Sequence, residues 1–383
     1  MSAVLKAQAA PLPGQVEVAI VGAGFGGLCL AIKLLEEGTR DFVILEKDAE
    51  VGGTWRDNQY PGAECDVQSH LYSYSFAGKA DWSQRYAGWK EIQQYILDTT
   101  EKYGLRPYIR FGQHVDGARF DEKTARWTVH LRSGETLSAR HFVMATGPLH
   151  VPQMPDIKGL DRFKGKVFHS ARWDHAYDLA GKRVASIGTG GSAIQYCPEI
   201  APKVQQLYVF QRTAAWVIPR DTRTYSEGAK RRFANYAWWR KLHRARLYWT
   251  NESRVWPIFH AGLSPLFEAF ARFHLRRQVK DKELTRRLTP DYKIGCKRVL
   301  VSNTWFPMFN RPNVELVTEG IREVTEQGIV TDDGVEREVD CIILGTGFVV
   351  DPRIYMRDFP ITGLGGRSLA DDWKGGAEAY YGI

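Results

Sequence analysis

The chain has 383 residues, enough for two or three domains with separate cores, and its 44% apolar and 25% charged residues describe an ordinary globular composition. Its five cysteines (Cys29, Cys65, Cys197, Cys296 and Cys341) are odd in number, scattered and never spaced Cys-x-x-Cys, which argues against a disulfide framework, a zinc site or a dithiol redox centre and points to a reducing cytoplasm. The formal net charge of +8 is compatible with nucleic acid, a membrane surface or an anionic cofactor, and there is no run of about 18 apolar residues to span a bilayer. Met1 to Gly14 carries one lysine and a short proline-containing apolar run, and reads as a frayed tail, not a signal peptide.

The first ordered pattern runs from Val18 to Glu46. An apolar strand enters a turn, Gly22-x-Gly24-x-x-Gly27; a helix follows, then a second strand, Phe42-Val-Ile-Leu, ending in Glu46. In such a unit the first glycine permits the tight turn, the second lets backbone approach a pyrophosphate, and the third lets helix and strand pack closely. The helix N-terminus faces the phosphates, and the acid is placed to bond a ribose 2′-hydroxyl. The spacing predicts a dinucleotide site.

Residues 47–76 leave this unit through Val51-Gly-Gly53-Thr54-Trp55 and Tyr60-Pro-Gly-Ala-Glu-Cys-Asp66. Glycines and a proline predict a loop, running over the cofactor from the carboxyl edge of the sheet. Residues 88–103 have helical apolar spacing. Residues 110–143 predict a small antiparallel layer with a turn at Ser133-Gly134, closing on the apolar strand Phe142-Val-Met-Ala-Thr-Gly147.

A second copy of the opening pattern follows. Lys182-Arg-Val-Ala-Ser-Ile is a strand and Gly188-x-Gly190-x-Ser192-Ala193 is the turn, with alanine as an accepted third residue. Glu46 stands 24 positions after Gly22; the same 24 positions from Gly188 lead to Arg212. A carboxylate suits a 2′-hydroxyl and a guanidinium suits a 2′-phosphate, so the first unit is assigned FAD or NAD and the second NADPH. Residues 220–290 break the rhythm with basic and aromatic residues at helical spacing, from Arg231 to Trp249 and again from Leu266 to Val279. Such helices bind membranes or nucleic acid, or form an insertion packed by its aromatics. The insertion is the favoured reading, with membrane-surface contact the lesser alternative and no nucleic acid. The α/β pattern returns at Asp291, and Cys341-Ile-Ile-Leu-Gly-Thr-Gly347 echoes Ala145-Thr-Gly147; each marks the chain passing between nucleotide domains.

Between the glycine turns lies Phe163-Lys-Gly-Lys-Val-Phe-His-Ser-Ala-Arg-Trp-Asp174. With both fingerprints, this Phe-x-Gly-x-x-x-His-x-x-x-Trp-Asp stretch resembles the type I Baeyer–Villiger monooxygenases, class B flavoprotein monooxygenases. Relatives that oxidise amines and sulfides usually have Tyr or Phe at its end. The likeness covers roughly Val18 to Ile383. It is nearest in tone to the branch with Gly-Gly-Thr-Trp, Cys-Asp-Val-x-Ser-His-Leu-Tyr-Ser and Gly-Cys-Lys-Arg motifs, which includes aryl-ketone monooxygenases.

The resemblance implies an α/β fold with two Rossmann-like domains: residues 1–150 for FAD, 151–345 for NADPH with a helical insertion at about 220–290, and 346–383 returning to the FAD domain. Relatives continue beyond this point with a strand, a Gly-Pro-Asn-Thr-like turn and a helix, so the FAD domain is expected to be incomplete. The implied reaction reduces bound FAD with NADPH, captures dioxygen as a peroxyflavin and converts a ketone to an ester or lactone. Arg298 resembles the charge stabiliser of that reaction and Asp66 the acid that orients it. Lys297 resembles the lysine that joins Arg212 at the 2′-phosphate, and His169 and Trp173 belong to the interdomain linker. Gly53, Thr54, Trp55, Asp66, Ser192 and Gly147 complete the expected cofactor contacts. The alternatives are a sulfide- or amine-oxygenating flavin monooxygenase and an inactive nucleotide-binding fragment.

Overall fold

A computed structural model describes residues 11–259, 262–351, 354 and 356–379. The chain divides into two compact units. One comprises residues 1–57, 92–151 and 348–383; the other comprises 58–91 and 152–347. The crossings at 151/152 and 347/348 follow the two Thr-Gly strand ends.

The first unit is built on a seven-stranded sheet. Gln15–Val21 lies at its heart, parallel to Phe42–Leu45 on one side and to Thr136–Met144 on the other. The helix Phe25–Glu36 makes the crossover between the first two. Phe42–Leu45 is buried at all four positions, the continuous apolar reading of a strand covered on both faces. Thr136–Met144 continues antiparallel into Arg126–Leu131 and Val115–Asp121, so the predicted antiparallel layer is an extension of the parallel sheet. The helix expected at 88–103 forms as Trp89–Lys102. Residues 47–57 are loop except for one helical turn, Thr54–Asp57, where the sequence predicts loop throughout; the Asp57 N–H bonds the Gly53 carbonyl at 3.0 Å and closes it.

The second unit holds five parallel strands, in the order Val314–Val317, Gln206–Phe210, Arg183–Ile187, Cys341–Leu344 and Lys166–His169. The helix Ala193–Ile200 follows the second glycine turn. A three-stranded antiparallel sheet spans Ile321–Val324, Gly328–Thr331 and Glu336–Glu338. The interruption of the α/β pattern is helical, with Glu227–Asn235, Ala237–Phe259, Ser264–Gln278 and Lys282–Arg287.

Residues 58–91, read from the sequence as part of the first domain, group with the second unit. The reason is where their backbone bonds go. Arg85 N–H donates to Arg223 O at 2.7 Å, and Tyr225 N–H donates to Ser83 O at 3.0 Å. Tyr60 and Ala63 lie in the same apolar cluster as Ile194, Tyr196, Leu207 and Ile343. Among the described residues no helix is long and apolar enough to cross a membrane.

Candidate functional site: two glycine turns and an Asp–Arg pair

In the first unit the strands Gln15–Val21, Phe42–Leu45 and Thr136–Met144 end in register at Val21, Leu45 and Met144. Gly22 takes the next position with φ +104°, and a Cβ there would lie 2.7 Å from the Ala145 carbonyl oxygen. Only glycine accepts both conditions. Gly27 is closer still: its Cβ would meet Gly22 O at 2.0 Å and the Ala145 methyl at 3.4 Å. The helix Phe25–Glu36 starts at Gly24 with no side-chain cap and no acid in its first turn, so its leading N–H groups are left for an anion.

Glu46 is 4% exposed. One carboxylate oxygen accepts the Ala23 N–H at 2.8 Å, and the other accepts the Asp48 N–H at 3.0 Å and Arg56 Nη1 at 3.1 Å. The acid is thus locked against the glycine loop, with lone pairs left for a hydroxyl. Gly53 sits beside this loop: its Cβ would approach Gly24 Cα at 3.4 Å, and Gly52 N–H donates to Ala23 O at 3.0 Å. Thr54 is half-buried and Trp55 is buried. Gly147 has φ +70° with nothing within 4 Å of a Cβ, an open backbone position. These features fit an extended diphosphate with a ribose at Glu46.

The second unit repeats the arrangement. Gly188 has φ +108° and lies against the Gly345 carbonyl, where a Cβ would come to 2.4 Å. Gly190 is open, with nothing within 4 Å of a Cβ. Ser192 begins the helix Ala193–Ile200 without capping it by its side chain, and again no acid occupies the first turn. Arg212 is exposed and makes no ion pair among the described residues. It lines a cleft of about 450 Å³ together with Thr213, Arg286, Arg287 and Thr289. Arg286 is paired with Glu283 at 2.5 Å, and Arg287 donates to Thr318 Oγ1 at 2.7 Å, which leaves Arg212, among the described residues, as the cation of that wall without such a partner. Lys297, expected beside Arg212, is not in the cleft wall; its ammonium sits 4.8 Å above the Tyr292 ring.

Asp66 and Arg298, 232 positions apart in sequence, meet in an ion pair within the second unit. Arg298 keeps 70% of its side chain exposed and Asp66 34%. The cation is therefore held at one end and open at the other.

The loop that carries Asp66 is fastened to the helix of the second glycine turn by a residue the sequence reading passed over. Gln195 Oε1 bonds the Tyr60 hydroxyl at 3.0 Å and the Glu64 N–H at 3.3 Å, while Gln195 Nε2 donates to Glu64 O at 3.0 Å. Arg220 adds an ion pair to Glu64 and lies 4.5 Å over the Tyr86 ring. Arg56 was also passed over. A glutamine on a helix and an arginine in a loop carry no spacing signal, so only the fold reveals them. Cys65, next to Asp66, is a buried thiol whose pKa burial pushes up to about 12, which favours the neutral thiol.

His169 accepts the Ala171 N–H on Nδ1 at 3.1 Å, and burial lowers its pKa from the usual value. Trp173 packs edge-on against Phe168 and tilted against Tyr196, ring centroids 5.1 and 5.4 Å away. Among the described residues no group of His, Cys, Asp or Glu is arranged to hold a metal ion.

The flavin-binding monooxygenase-like family model matches residues 15–233. A Baeyer–Villiger monooxygenase of Streptomyces coelicolor is 48% identical over 369 residues, covering 96% of this chain and 70% of its own length. One from Pseudomonas aeruginosa is 46% identical over 367 residues, covering 96% and 69%. Among solved structures, an oxidized steroid monooxygenase bound to NADP superposes with a TM-score of 0.85 at 35% identity, covering 96% of this chain and 78% of that one. An OTEMO complex with FAD and NADP superposes at 0.84 with 29% identity, covering 95% and 77%. The chain belongs to the flavin-binding monooxygenase-like family and is a flavin monooxygenase of the Baeyer–Villiger type.

Proposed function

We propose that this chain binds FAD in its first unit and NADPH in its second, and uses dioxygen to convert a ketone into an ester or lactone. In the overall balance one oxygen atom enters beside the carbonyl, the other leaves as water, and NADPH supplies the two electrons. The carrying observation is the Asp66–Arg298 pair. When bound, FAD would supply the redox chemistry that links NADPH to dioxygen.

The residues of the chain do the rest. Gly22, Gly24, Gly27 and Gly53 give the diphosphate a close backbone approach, with Gly147 an open position nearby in sequence to the strand end, and Glu46 accepts a ribose hydroxyl. Thr54 and Trp55 complete that loop. Gly188, Gly190 and Ser192 present the second helix N-terminus to the NADPH diphosphate, and Arg212 takes the 2′-phosphate. Lys297 would join it by leaving Tyr292. Arg298 is a permanently charged fork that Asp66 holds from one side, leaving its other N–H groups for the oxyanion that develops on a carbonyl under attack. Gln195 and Arg220 position the loop that carries Asp66.

The test is Arg298→Ala. NADPH should still bleach the flavin band anaerobically, while ester formation falls roughly a hundredfold to a thousandfold, the usual loss when one preorganised charge donor is removed. Unchanged ester formation would refute the role given to Arg298. A wild-type protein that oxygenates sulfides but no ketone would refute the substrate class.

A further inference from the structure

The helical insertion carries a surface that the oxygenation chemistry leaves unused. Residues 227–280 hold twelve Lys and Arg against three Asp and Glu, a net +9 that accounts for the whole chain's +8. Within it, among the described side chains, the helix Ala237–Phe259 turns arginines inward and large apolar residues outward. Its inward face is polar: Arg240 donates to Phe233 O at 2.8 Å, Arg244 to His70 O at 2.7 Å and Ser73 O at 3.1 Å, and Asn251 and Gln68 exchange amide hydrogen bonds of 2.9 and 3.1 Å. Among the described side chains of this helix, Leu247 is the buried apolar one.

The outward face, at i, i+4, i+7 and i+11, is Trp238, Leu242, Ala245 and Trp249. Trp238 is 63% exposed and Trp249 68%. Exposed Lys241 and Arg246 flank this stripe. The helix Ser264–Gln278 repeats the device: Leu266, Phe270 and Phe273 are exposed at i, i+4 and i+7, with Arg276 and Arg277 beside them, while Ala271, His274 and Leu275 are buried.

Two neighbouring helices that show tryptophan, leucine and phenylalanine to water at helical period mark a contact surface. Charge decides what covers it. A second copy meeting this face with the same face would bring two segments of +9 together. A nucleic acid would be met by cations along a track, whereas here the cations rim an apolar stripe. An anionic bilayer satisfies both parts, because aromatic rings settle at the headgroup boundary and Lys and Arg pair with lipid phosphates. We propose that the Trp238–Trp249 stripe, rimmed by basic residues, docks this protein on the surface of an anionic lipid bilayer without spanning it.

The experiment is co-flotation of the full chain with phosphatidylcholine vesicles and with mixed phosphatidylglycerol–phosphatidylcholine vesicles. Binding to the mixed vesicles and not to the zwitterionic ones is expected, weakening with salt. The Trp238→Ala/Trp249→Ala double variant should bind about tenfold more weakly or worse, from the apolar area it no longer buries. Lys241→Glu/Arg246→Glu should abolish the anionic preference. All four side chains are exposed, so melting temperature should stay as in wild type. No flotation with either vesicle overturns the proposal, as does equal flotation with both, or wild-type binding by the tryptophan variant. Light scattering that shows a dimer dispersed by the tryptophan variant, with no vesicle binding, would assign the face to a second copy. Retention on an oligonucleotide in place of vesicles would assign it to nucleic acid.

Discussion

The two glycine turns differ by the place of one methyl group and the sign of one charge. In the first unit Gly27 leaves room beneath the helix, and the Ala145 methyl stands 3.4 Å from where its Cβ would be. In the second the helix carries the methyl, on Ala193, and the strand end carries the glycine: a Cβ on Gly345 would meet the Ala193 methyl at 3.5 Å. Both turns therefore place one methyl between helix and strand, supplied from opposite sides. The third position of the fingerprint is a packing condition, and it is shared with the residue that opens the Thr-Gly segment. The strand ends differ in another way. Glu46 is buried and bonded on both oxygens by its own loop, whereas Arg212 stands exposed in a cleft. A fixed neutral-hydroxyl acceptor and an open cation suit the different riboses of FAD and NADPH.

Exchange at the methyl position tests this most strongly. Gly27→Ala drives a methyl to 2.0 Å from Gly22 O, so a cost of about 3 kcal/mol or more and loss of retained flavin are expected. Ala193→Gly should cost about 2 kcal/mol, the helix penalty of glycine plus one buried methyl, and leave NADPH use almost unchanged. Flavin absorbance after gel filtration and NADPH titration report the two results. A yellow Gly27→Ala protein would break the packing account.

At the strand ends the larger effect is expected where the residue is buried. Glu46→Ala leaves the Ala23 N–H without its acceptor and removes one of the ion pairs of Arg56, at about 2–3 kcal/mol, seen as a lower melting temperature and weaker FAD binding. Arg212→Ala should leave melting unaltered, because the side chain is exposed, and weaken NADPH by about 1.5–3 kcal/mol while NADH is hardly affected. Equal weakening of both nucleotides would show that Arg212 does not read the 2′-phosphate.

Much of this was legible in the sequence, for identifiable reasons. Both fingerprints, the strands that flank them and the helices of the insertion follow from glycine placement and apolar period. Asp66 and Arg298 could be paired only through family resemblance, since nothing local connects residues 232 positions apart. The allegiance of residues 58–91 was misread because a loop shows no period; its partners are backbone groups such as Arg223 O and side chains such as Gln195 and Arg220. The insertion was expected to bury its aromatics. Phe233 does pack inward, beside the aliphatic Leu247, but Trp238 and Trp249 do not. Helical spacing gives a face without saying which way it turns, and here backbone carbonyls of His70, Ser73 and Phe233 draw the arginines in.

The two units should also differ, more mildly, in their response to acid. In the second, the His70 ring lies among Phe233, Tyr225 and His243, at centroid distances of 4.3, 5.2 and 5.1 Å. Its Nε2 is buried without a hydrogen-bond partner among the described residues. Burial pushes its pKa down to about 3, reinforced by His243, Arg240 and Arg244. The unfolded chain takes up a proton near pH 6.5 that the folded chain refuses, so this contribution is complete above about pH 6.5 and declines as pH falls toward 3. The slope from one such proton is at most about 1.4 kcal/mol per pH unit. His70→Phe keeps an aromatic ring against aromatic neighbours and strands no hydrogen bond at Nε2. It should melt like wild type at pH 7.5 and lose less stability than wild type between pH 6.5 and 5, with a residual slope from His114, His169, His243 and His274, whose pKa values burial also lowers. Thermal scans across that range read the difference. A His70→Phe protein with the wild-type slope would mean that His70 is protonated in the folded chain, and that the arginines drawn under the insertion leave more room for water than its packing implies.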